Sequence, residues 1–412
     1  MTGSAPPSAD TPPPGTGPRP VVLLVDDQPI IGEAVRRMLA GDDAPAFHYC
    51  REPAAALDTA GALEPTVILL DLVMPELDGI ELLRRFRAEE RFRDVPIIVL
   101  STKEDPAIKA EAFSLGASDY LVKLPDRVEL LARIRHHSRG YTALVERNAA
   151  FEALRQSREL LAADIATAAR YMRSLIPPPG PVGMLAADWR FVPSASLGGD
   201  AFGYHALDDD HVAIYLLDVC GHGVGAALLS VSVLSAVRAE VLPSTDFQTP
   251  ESVLAALNRA FPMERHDGMF FTMWYGVYER QSRRLRWAGG GHPPAFLVPP
   301  PSPGQAPATI PLDSDGPLVG AIEGVEFSGS EVAVPPGSRL FVFSDGAFEI
   351  VRPGGGMWSL AEFRGFLASE AGAGGAAGAG LDHLLAHARG LAGHAPLLDD
   401  LSILAIDFPA GA

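Results

Sequence analysis

Four short apolar runs in the first third of the chain each end in a residue able to handle charge. PVVLLVDD closes on Asp26 and Asp27, PTVILLD on Asp71, VPIIVLS on Ser101 and SDYLVK on Lys123. In a parallel α/β sheet the carboxyl ends of the strands share one edge, so these distant residues can meet there. Three carboxylates in one place repel, and a hard divalent cation such as Mg2+ relieves that cost. The Lys123 ammonium and the Ser101 hydroxyl would then receive the oxygens of a phosphoryl group carried by Asp71, which makes Asp71 both nucleophile and phosphate carrier. Any one strand-end acid is an ordinary solvated cap; the matched set points to phosphoryl chemistry.

A second group of acids lies further on. Asp200 follows SLGG, Asp218 ends the strand-like run VAIYLLD, Asp345 follows RLFVFS, and Asp399 and Asp400 precede LSILAIDF. Each sits where a strand meets a turn, with no matching Arg or Lys. Singly, each reads equally well as a turn-forming aspartate. Together they form an oxygen-rich set suited to Mg2+ or Mn2+. Two such ions sharing a carboxylate would activate a water for attack on phosphorus. The glycine turn after Asp218, CGHGVGAALL, has no GxxxxGK[ST] lysine and so is not a P-loop. It approximates GxGxxG, a weak sign of a dinucleotide site in a half that does not read as doubly wound.

The elements that must position these groups divide the chain. Residues 20–138 alternate short apolar strands, with a weak fifth at Phe47 to Cys50, and segments of helical spacing such as IIGEAVRRMLA. This predicts a doubly wound, five-stranded parallel α/β domain. Residues 127–176 carry almost no Gly or Pro and predict one or two long helices, stopped by PPPGP at 177–181. A seam of Ile134, His137, Tyr141, Leu144, Asn148, Phe151, Leu154, Arg158, Leu161, Ile165, Ala168, Met172 and Leu175 recurs in steps of three and four. It fits a dimer-forming coiled coil or a helix lying across its own domains. Beyond residue 182, long apolar strands with helical stretches around 223–239, 250–260 and 381–392 predict an α+β layered domain of antiparallel sheets flanked by helices. Residues 1–19 read as a disordered tail, 299–308 as a flexible loop, and AGAGGAAGAG at 371–380 as low complexity that a helix tolerates poorly. The expected division is therefore tail 1–19, α/β domain 20–138, helical linker 139–176 and α+β domain 177–410.

The net charge of −18 repels nucleic-acid backbones and anionic membranes, so any phosphate-bearing partner needs a local cation. Cys50 and Cys220 are the only cysteines and lie far apart, which argues against a disulfide framework or a zinc–thiolate site. No signal-peptide pattern and no long uncharged apolar span is present, and the expected location is the cytoplasm.

Through VDDQP, LLDLVMPELDGI, VLSTKEDP and DYLVKLPD, residues 20–138 resemble the response-regulator receiver family. The resemblance implies that Asp26, Asp27 and Asp71 bind Mg2+, that a cognate histidine kinase phosphorylates Asp71, and that Ser101, Tyr120 and Lys123 form the switch. Lys123-Leu124-Pro125 carries one residue more than the usual Lys-Pro pair. Through PSASLGGDAFGY, LLDVCGHGVGAALLS, MFFTMWYGVYE, RWAGGGHPPAFLV, LFVFSDGAFEI and DDLSILAIDF, residues 172–408 resemble the PPM/PP2C-like serine/threonine phosphatases of the bacterial sporulation and stress-response branch. That resemblance implies two Mn2+ or Mg2+ ions. Asp218 would bridge them, the Val219 carbonyl would bind one, Asp345 and Asp399 would be carboxylate ligands, Asp200 would bind or orient water, and Asp400 would be a supporting partner. Gly221, Gly223 and Gly225 would serve a tight turn and close helix approach. His222 is a possible acid at the mouth, and His292 is expected to be structural. Gly203 stands where the family often has an acid, and Ser402 replaces a frequent threonine.

These features lead to the expectation of a receiver-controlled, metal-dependent phosphoserine/phosphothreonine protein phosphatase. Its substrate would be a phosphorylated anti-sigma-factor antagonist and its form a homodimer, with no nucleic-acid or membrane partner. The alternative is a noncatalytic or weakly active phosphatase-like scaffold regulated by the receiver.

Overall fold

The computed structural model describes residues 19–410 except 76, 103–104, 195–196, 302–307, 373–376, 394 and 396, and leaves the side chains of 371–379 undescribed. Residues 1–18 of the tail expected at 1–19 and the core of the 299–308 loop therefore lie outside the described residues. The chain divides into two compact units, Met1–Arg158 and Glu159–Ala412.

In the first unit, β1 (Val21–Val25), α1 (Pro29–Leu39), β2 (Ala46–Cys50), α2 (Ala56–Leu63), β3 (Val67–Asp71), α3 (Gly79–Ala88), β4 (Ile97–Ser101), α4 (Pro106–Ser114) and β5 (Asp119–Val122) follow one another. The strands pair in parallel in the order β2-β1-β3-β4-β5. β3 and β4 are buried along their whole length, as strands covered by helices on both faces must be. Their side chains alternate between two cores, one holding Leu23, Ile68, Leu70 and Val99, the other Leu24, Leu69, Ile98 and Leu100. Asp78 and Asp105 cap α3 and α4 by accepting from Ile80 N and Ala107 N.

A single helix, α5, runs Arg127–Leu175 over 49 residues. Leu130, Ile134 and Ser138 bury its first turns on the first unit, whereas Phe151, Leu154 and Leu161 in the middle of the expected seam are exposed. The helix ends before Pro177, as the missing N–H of proline requires, and PPPGP also opens a strand, β6 (Gly180–Val182).

The second unit continues with β7 (Leu185–Val192), β8 (Ala201–Ala206), β9 (His211–Val219), α6 (Val224–Arg238), α7 (Pro250–Ala260), β10 (Phe271–Glu279), β11 (Arg284–Gly290), β12 (Ala295–Val298), β13 (Ile310–Leu312), β14 (Gly329–Ala333), β15 (Arg339–Phe343), α8 (Leu360–Gly372), α9 (Ala377–Ala392) and β16 (Leu401–Asp407). Two antiparallel sheets form, β14-β11-β10-β9-β8 and β13-β12-β15-β16-β7-β6. The period of two along each strand builds the layers. On β9, Val212, Ile214 and Leu216 join Leu340, Val342, Leu404 and Ile406 between the sheets. Ala213, Tyr215, Leu217 and Val219 instead face the layer of α6 and α7. On β16, Leu401, Ile403 and Ala405 turn outward to α8 and α9.

The Gly- and Ala-rich stretch differs from expectation. α8 runs to Gly372 and α9 begins at Ala377, so residues read as unfit for helix are helical on both sides of 373–376. Burial of Phe363, Leu367, Leu381 and Leu384 in one core outweighs the weak intrinsic propensity of glycine. Among the described residues no helix is long and apolar enough to cross a membrane.

Candidate functional sites

In the first unit the strand order brings together the residues singled out by type. Asp26 follows β1, Asp71 ends β3, Ser101 ends β4 and Lys123 follows β5, all on the carboxyl edge. One oxygen each from Asp26, Asp27 and Asp71 lies within 4.8 Å of the others. The Lys123 Nζ is 2.7 Å from Asp71 Oδ2 and 3.0 Å from Asp26 Oδ2. Gln28 N donates to Asp26 Oδ1 at 2.9 Å and Val73 N to Asp71 Oδ1 at 3.2 Å, which fixes both carboxylates. Burial raises the Asp26 carboxyl above its ordinary range despite Gln28 and Lys123. Burial would lower the Lys123 ammonium, but hydrogen bonds to Asp71 and Asp26 outweigh it and leave Lys123 raised. Ser101 and Tyr120 are buried, and Lys109 Nζ stands 5.6 Å over the Tyr120 ring. The extra residue Leu124 takes a left-handed backbone, φ 56°, and exposes its side chain, so the insertion is absorbed without displacing Lys123.

In the second unit acids converge from both sheets. Asp200 and Asp218 belong to the ends of β8 and β9, while Asp345 and the Asp399-Asp400 pair flank β15 and β16. Burial, then Asp345 and Asp399, push the Asp218 carboxyl up to about 7. Burial and then Asp218 hold Asp200 well above the carboxylate range, with Ser402 and Ser344 acting the other way. Asp345 is raised by burial, then by Asp399 and Glu349. Both oxygens of Asp200 and Oδ1 of Asp345 are buried without a hydrogen-bond partner. Asp200, Asp218, Asp345 and Asp399 are neighbours but, unlike Asp26, Asp27 and Asp71, do not close into a set of three oxygens within 4.8 Å of one another.

Asp400 has a separate task. It is buried, and it accepts from Ser194 N at 2.7 Å, Ser194 Oγ at 3.0 Å and Gly199 N at 2.7 Å. It thereby ties down the loop that carries Asp200. A Cβ on Gly198 would stand 2.2 Å from Asp400 Oδ2, which accounts for a glycine there. Ser344, which sequence reasoning passed over, joins the other strand ends: its N–H donates to the Ser402 carbonyl and its Oγ to the Asp400 carbonyl, both at 3.0 Å, while Ser402 N donates to Ser344 Oγ. A serine ending an apolar strand carries no sequence signal for this.

Gly221 and Gly223, at φ 91° and 93°, make the turn between β9 and α6, a backbone that side chains disfavour. Gly225 is different. It lies inside α6, and a Cβ there would make ordinary contact with Met269 at 3.5 Å, so neither turn nor close approach requires it. His222 is exposed. His292 is buried, with Nδ1 2.9 Å from Thr272 Oγ1, and burial lowers its ring to about 3.

His292 yields a pH prediction. A histidine depressed from 6.5 to about 3 is neutral in the folded chain, so its contribution is intact above the unfolded pKa and is lost as pH falls below it. Relative to His292→Asn, the wild type is expected to lose roughly 2 kcal/mol between about pH 6.5 and about pH 5. Urea unfolding of the two chains at both pH values measures the change.

Gly203 shows why an acid is missing. A Cβ at this position would lie 2.6 Å from the Tyr215 hydroxyl and 2.8 Å from its ring. Tyr215 is buried and stacks on Tyr275 with centroids 5.8 Å apart, so it cannot yield. Gly203→Ala is expected to cost about 1–3 kcal/mol by overpacking, and to cost less in a Tyr215→Ala background, a coupling that a double-mutant cycle on urea unfolding measures.

Comparison with known proteins follows the same division. Residues 22–135 match the response regulator receiver domain, and residues 208–409 match stage II sporulation protein E (SpoIIE). The regulator of RpoS of Escherichia coli (strain K12) is 26% identical over 282 residues, covering 66% of this chain and 81% of its own. The phosphoserine phosphatase RsbP of Bacillus subtilis (strain 168) is 26% identical over 160 residues, 38% of each chain. Of regulators that match the receiver at 34–35% identity, the chain spans less than half, 43–49% of their length. The SiaA PP2C domain of Pseudomonas aeruginosa shares the fold of the second unit at TM-score 0.51 and 19% identity, over 61% of this chain and 98% of that one. With the parallel sheet and its acidic edge in one unit and the paired antiparallel sheets in the other, the chain is a response-regulator receiver domain joined by a helix to a PP2C-like domain of the stage II sporulation protein E family.

Proposed function

We propose that this chain is a response regulator whose output is a metal-dependent phosphoserine/phosphothreonine protein phosphatase. One observation supports it above others: Asp200, Asp218, Asp345 and Asp399 are neighbours at the ends of two sheets, and Asp200, Asp218 and Asp345 are each raised by burial first and then by another carboxylate. Three buried oxygens of Asp200 and Asp345 make no well-formed hydrogen bond, although the Ser402 and Ser344 hydroxyls lie close enough to Asp200 to lower it. An all-oxygen set of uncompensated acids fits Mg2+ or Mn2+. Asp218, the Val219 carbonyl, Asp345 and Asp399 would hold two ions, and bound there they would supply a water of lowered pKa and screen the charge of a phosphate ester. Asp200 orients water, and Asp400 holds the loop of Asp200.

In the receiver, Asp26, Asp27 and Asp71 would hold Mg2+; Asp27 Oδ1 is buried without a hydrogen-bond partner, in keeping with that role. The ion would offset charge on an incoming phosphoryl group. The Asp71 carboxylate takes that group from a cognate histidine kinase, Lys123 moves its ammonium onto a phosphoryl oxygen, and Ser101 and Tyr120 follow. α5 carries the change onward, with homodimerisation through its exposed seam. The substrate class is a phosphorylated anti-sigma-factor antagonist, and the setting is the cytoplasm.

A weakly active scaffold is the second reading, favoured by the Tyr215 ring filling the space beside Gly203. Full-length protein with Mn2+ or Mg2+ is expected to release phosphate from p-nitrophenyl phosphate and from phosphoserine proteins, and EDTA is expected to stop it. Release from none of them selects the scaffold. Beryllofluoride, added with Mg2+ to occupy Asp71, is expected to change the rate or the oligomer size; no change in either overturns the regulatory link.

A further inference from the structure

Beside the acids of the second unit lies a cavity of about 550 Å³, lined by residues 346, 349–353, 392, 393, 395 and 397–399. Its walls are largely aliphatic, with Ile350, Val351, Pro353, Leu397 and Leu398, and Asp399 closes one end. Val351 is 44% exposed and Leu398 76%. Large aliphatic side chains held this open to water, around a concave surface, mark a place where a partner is received. No hydrogen bond to the Asp400 carboxylate comes from these side chains: it is held by Ser194 and Gly199, and the Asp345 carbonyl accepts from Phe348 N and Glu349 N.

Two features say what fits. Asp399 belongs to both the cavity and the acidic cluster, so a polypeptide whose phosphate reaches the acids has the cavity within a few residues of it, each extended residue spanning about 3.3 Å. The charges in the cavity favour a cation. Arg352 is committed to Glu362, its Nη2 2.7 Å from Oε1, while Glu349 is exposed and lines the cavity. We infer that this cavity is a specificity groove for the segment flanking the phosphoserine of a protein substrate, taking an aliphatic side chain against Val351 and Leu398 and a lysine or arginine near Glu349. It rests on the phosphatase reading for the seat of the phosphate.

Fluorescence anisotropy on the full-length protein with Mn2+ tests it, using labelled peptides in which a nonhydrolysable phosphonate replaces the phosphoserine ester. One peptide carries leucine and lysine within three residues of the phosphonate; the other has alanine at those places. The wild type is expected to bind the first about tenfold or more tightly, as burial of one aliphatic side chain allows. Leu398→Ser should reduce the difference to about twofold while p-nitrophenyl phosphate turnover stays unchanged, since that small ester does not reach the groove. Glu349→Gln should weaken only the lysine contribution. Equal affinity of the wild type for both peptides, or full discrimination retained in Leu398→Ser, overturns the groove. Discrimination that depends on Leu398 in a protein without turnover upholds the groove and removes the phosphatase reading instead.

Discussion

An Asp218→Asn chain is expected to lose at least roughly 10³-fold in Mn2+-dependent phosphate release, about 4 kcal/mol in the barrier. The amide keeps the shape of the side chain and removes its anion. Asp218 is the acid on which Asp345 and Asp399 both act, and burial with those neighbours pushes it up to about 7. A buried carboxyl of this kind costs the metal-free fold stability, because like charges and desolvation both oppose its ionised form. The same exchange is therefore expected to raise the melting temperature in EDTA while abolishing turnover. Such opposite signs belong to a functional acid; a merely structural aspartate would lose stability on replacement. Calorimetry in EDTA beside p-nitrophenyl phosphate turnover in Mn2+ reads both.

Asp400→Ala is expected to behave in the contrary way, lowering stability by about 3–5 kcal/mol and activity with it. Its carboxylate is buried and receives Ser194 N, Ser194 Oγ and Gly199 N. Truncation leaves two backbone donors without partners beneath the loop that bears Asp200, and each orphan carries a full desolvation cost. Asp400→Asn keeps the volume and one accepting oxygen, so a smaller loss is expected. Urea unfolding of the three chains orders them wild type, Asn, Ala. A destabilisation of Asp400→Ala below about 1 kcal/mol would show that these hydrogen bonds do not hold the loop.

The receiver was legible because its most buried strands are continuous apolar runs that stop at a polar residue of the acidic edge, as with Leu70 before Asp71 and Leu100 before Ser101. Parallel pairing then brings the stops to one edge. The acids of the second unit were visible for the same reason, but what supports them was not. Ser344 and Ser194 act through hydroxyl and backbone contacts that no spacing announces. β8 escaped notice because Gly203 and His205 interrupt its apolar pattern, and only the Tyr215 ring explains that glycine. β14 is a largely exposed edge strand, GSEVA, without the apolar alternation by which strands are read. The helical turns flanking residues 373–376 were hidden by glycine, whose propensity is weaker than the burial of Phe363 and Leu381. The middle of α5 shows the converse: its apolar seam was plain, yet Phe151, Leu154 and Leu161 are exposed.

Counting the Mn2+ ions bound by the full-length chain is the most direct test that the acids at the two sheet ends form a cation site. Titration calorimetry on the wild type, on Asp218→Asn and on a receiver variant, Asp27→Asn, separates the two units. Asp218→Asn is expected to lose two equivalents that Asp27→Asn retains, with turnover lost only in the first. The same number of equivalents bound with and without the Asp218 carboxylate would contradict a cation site there.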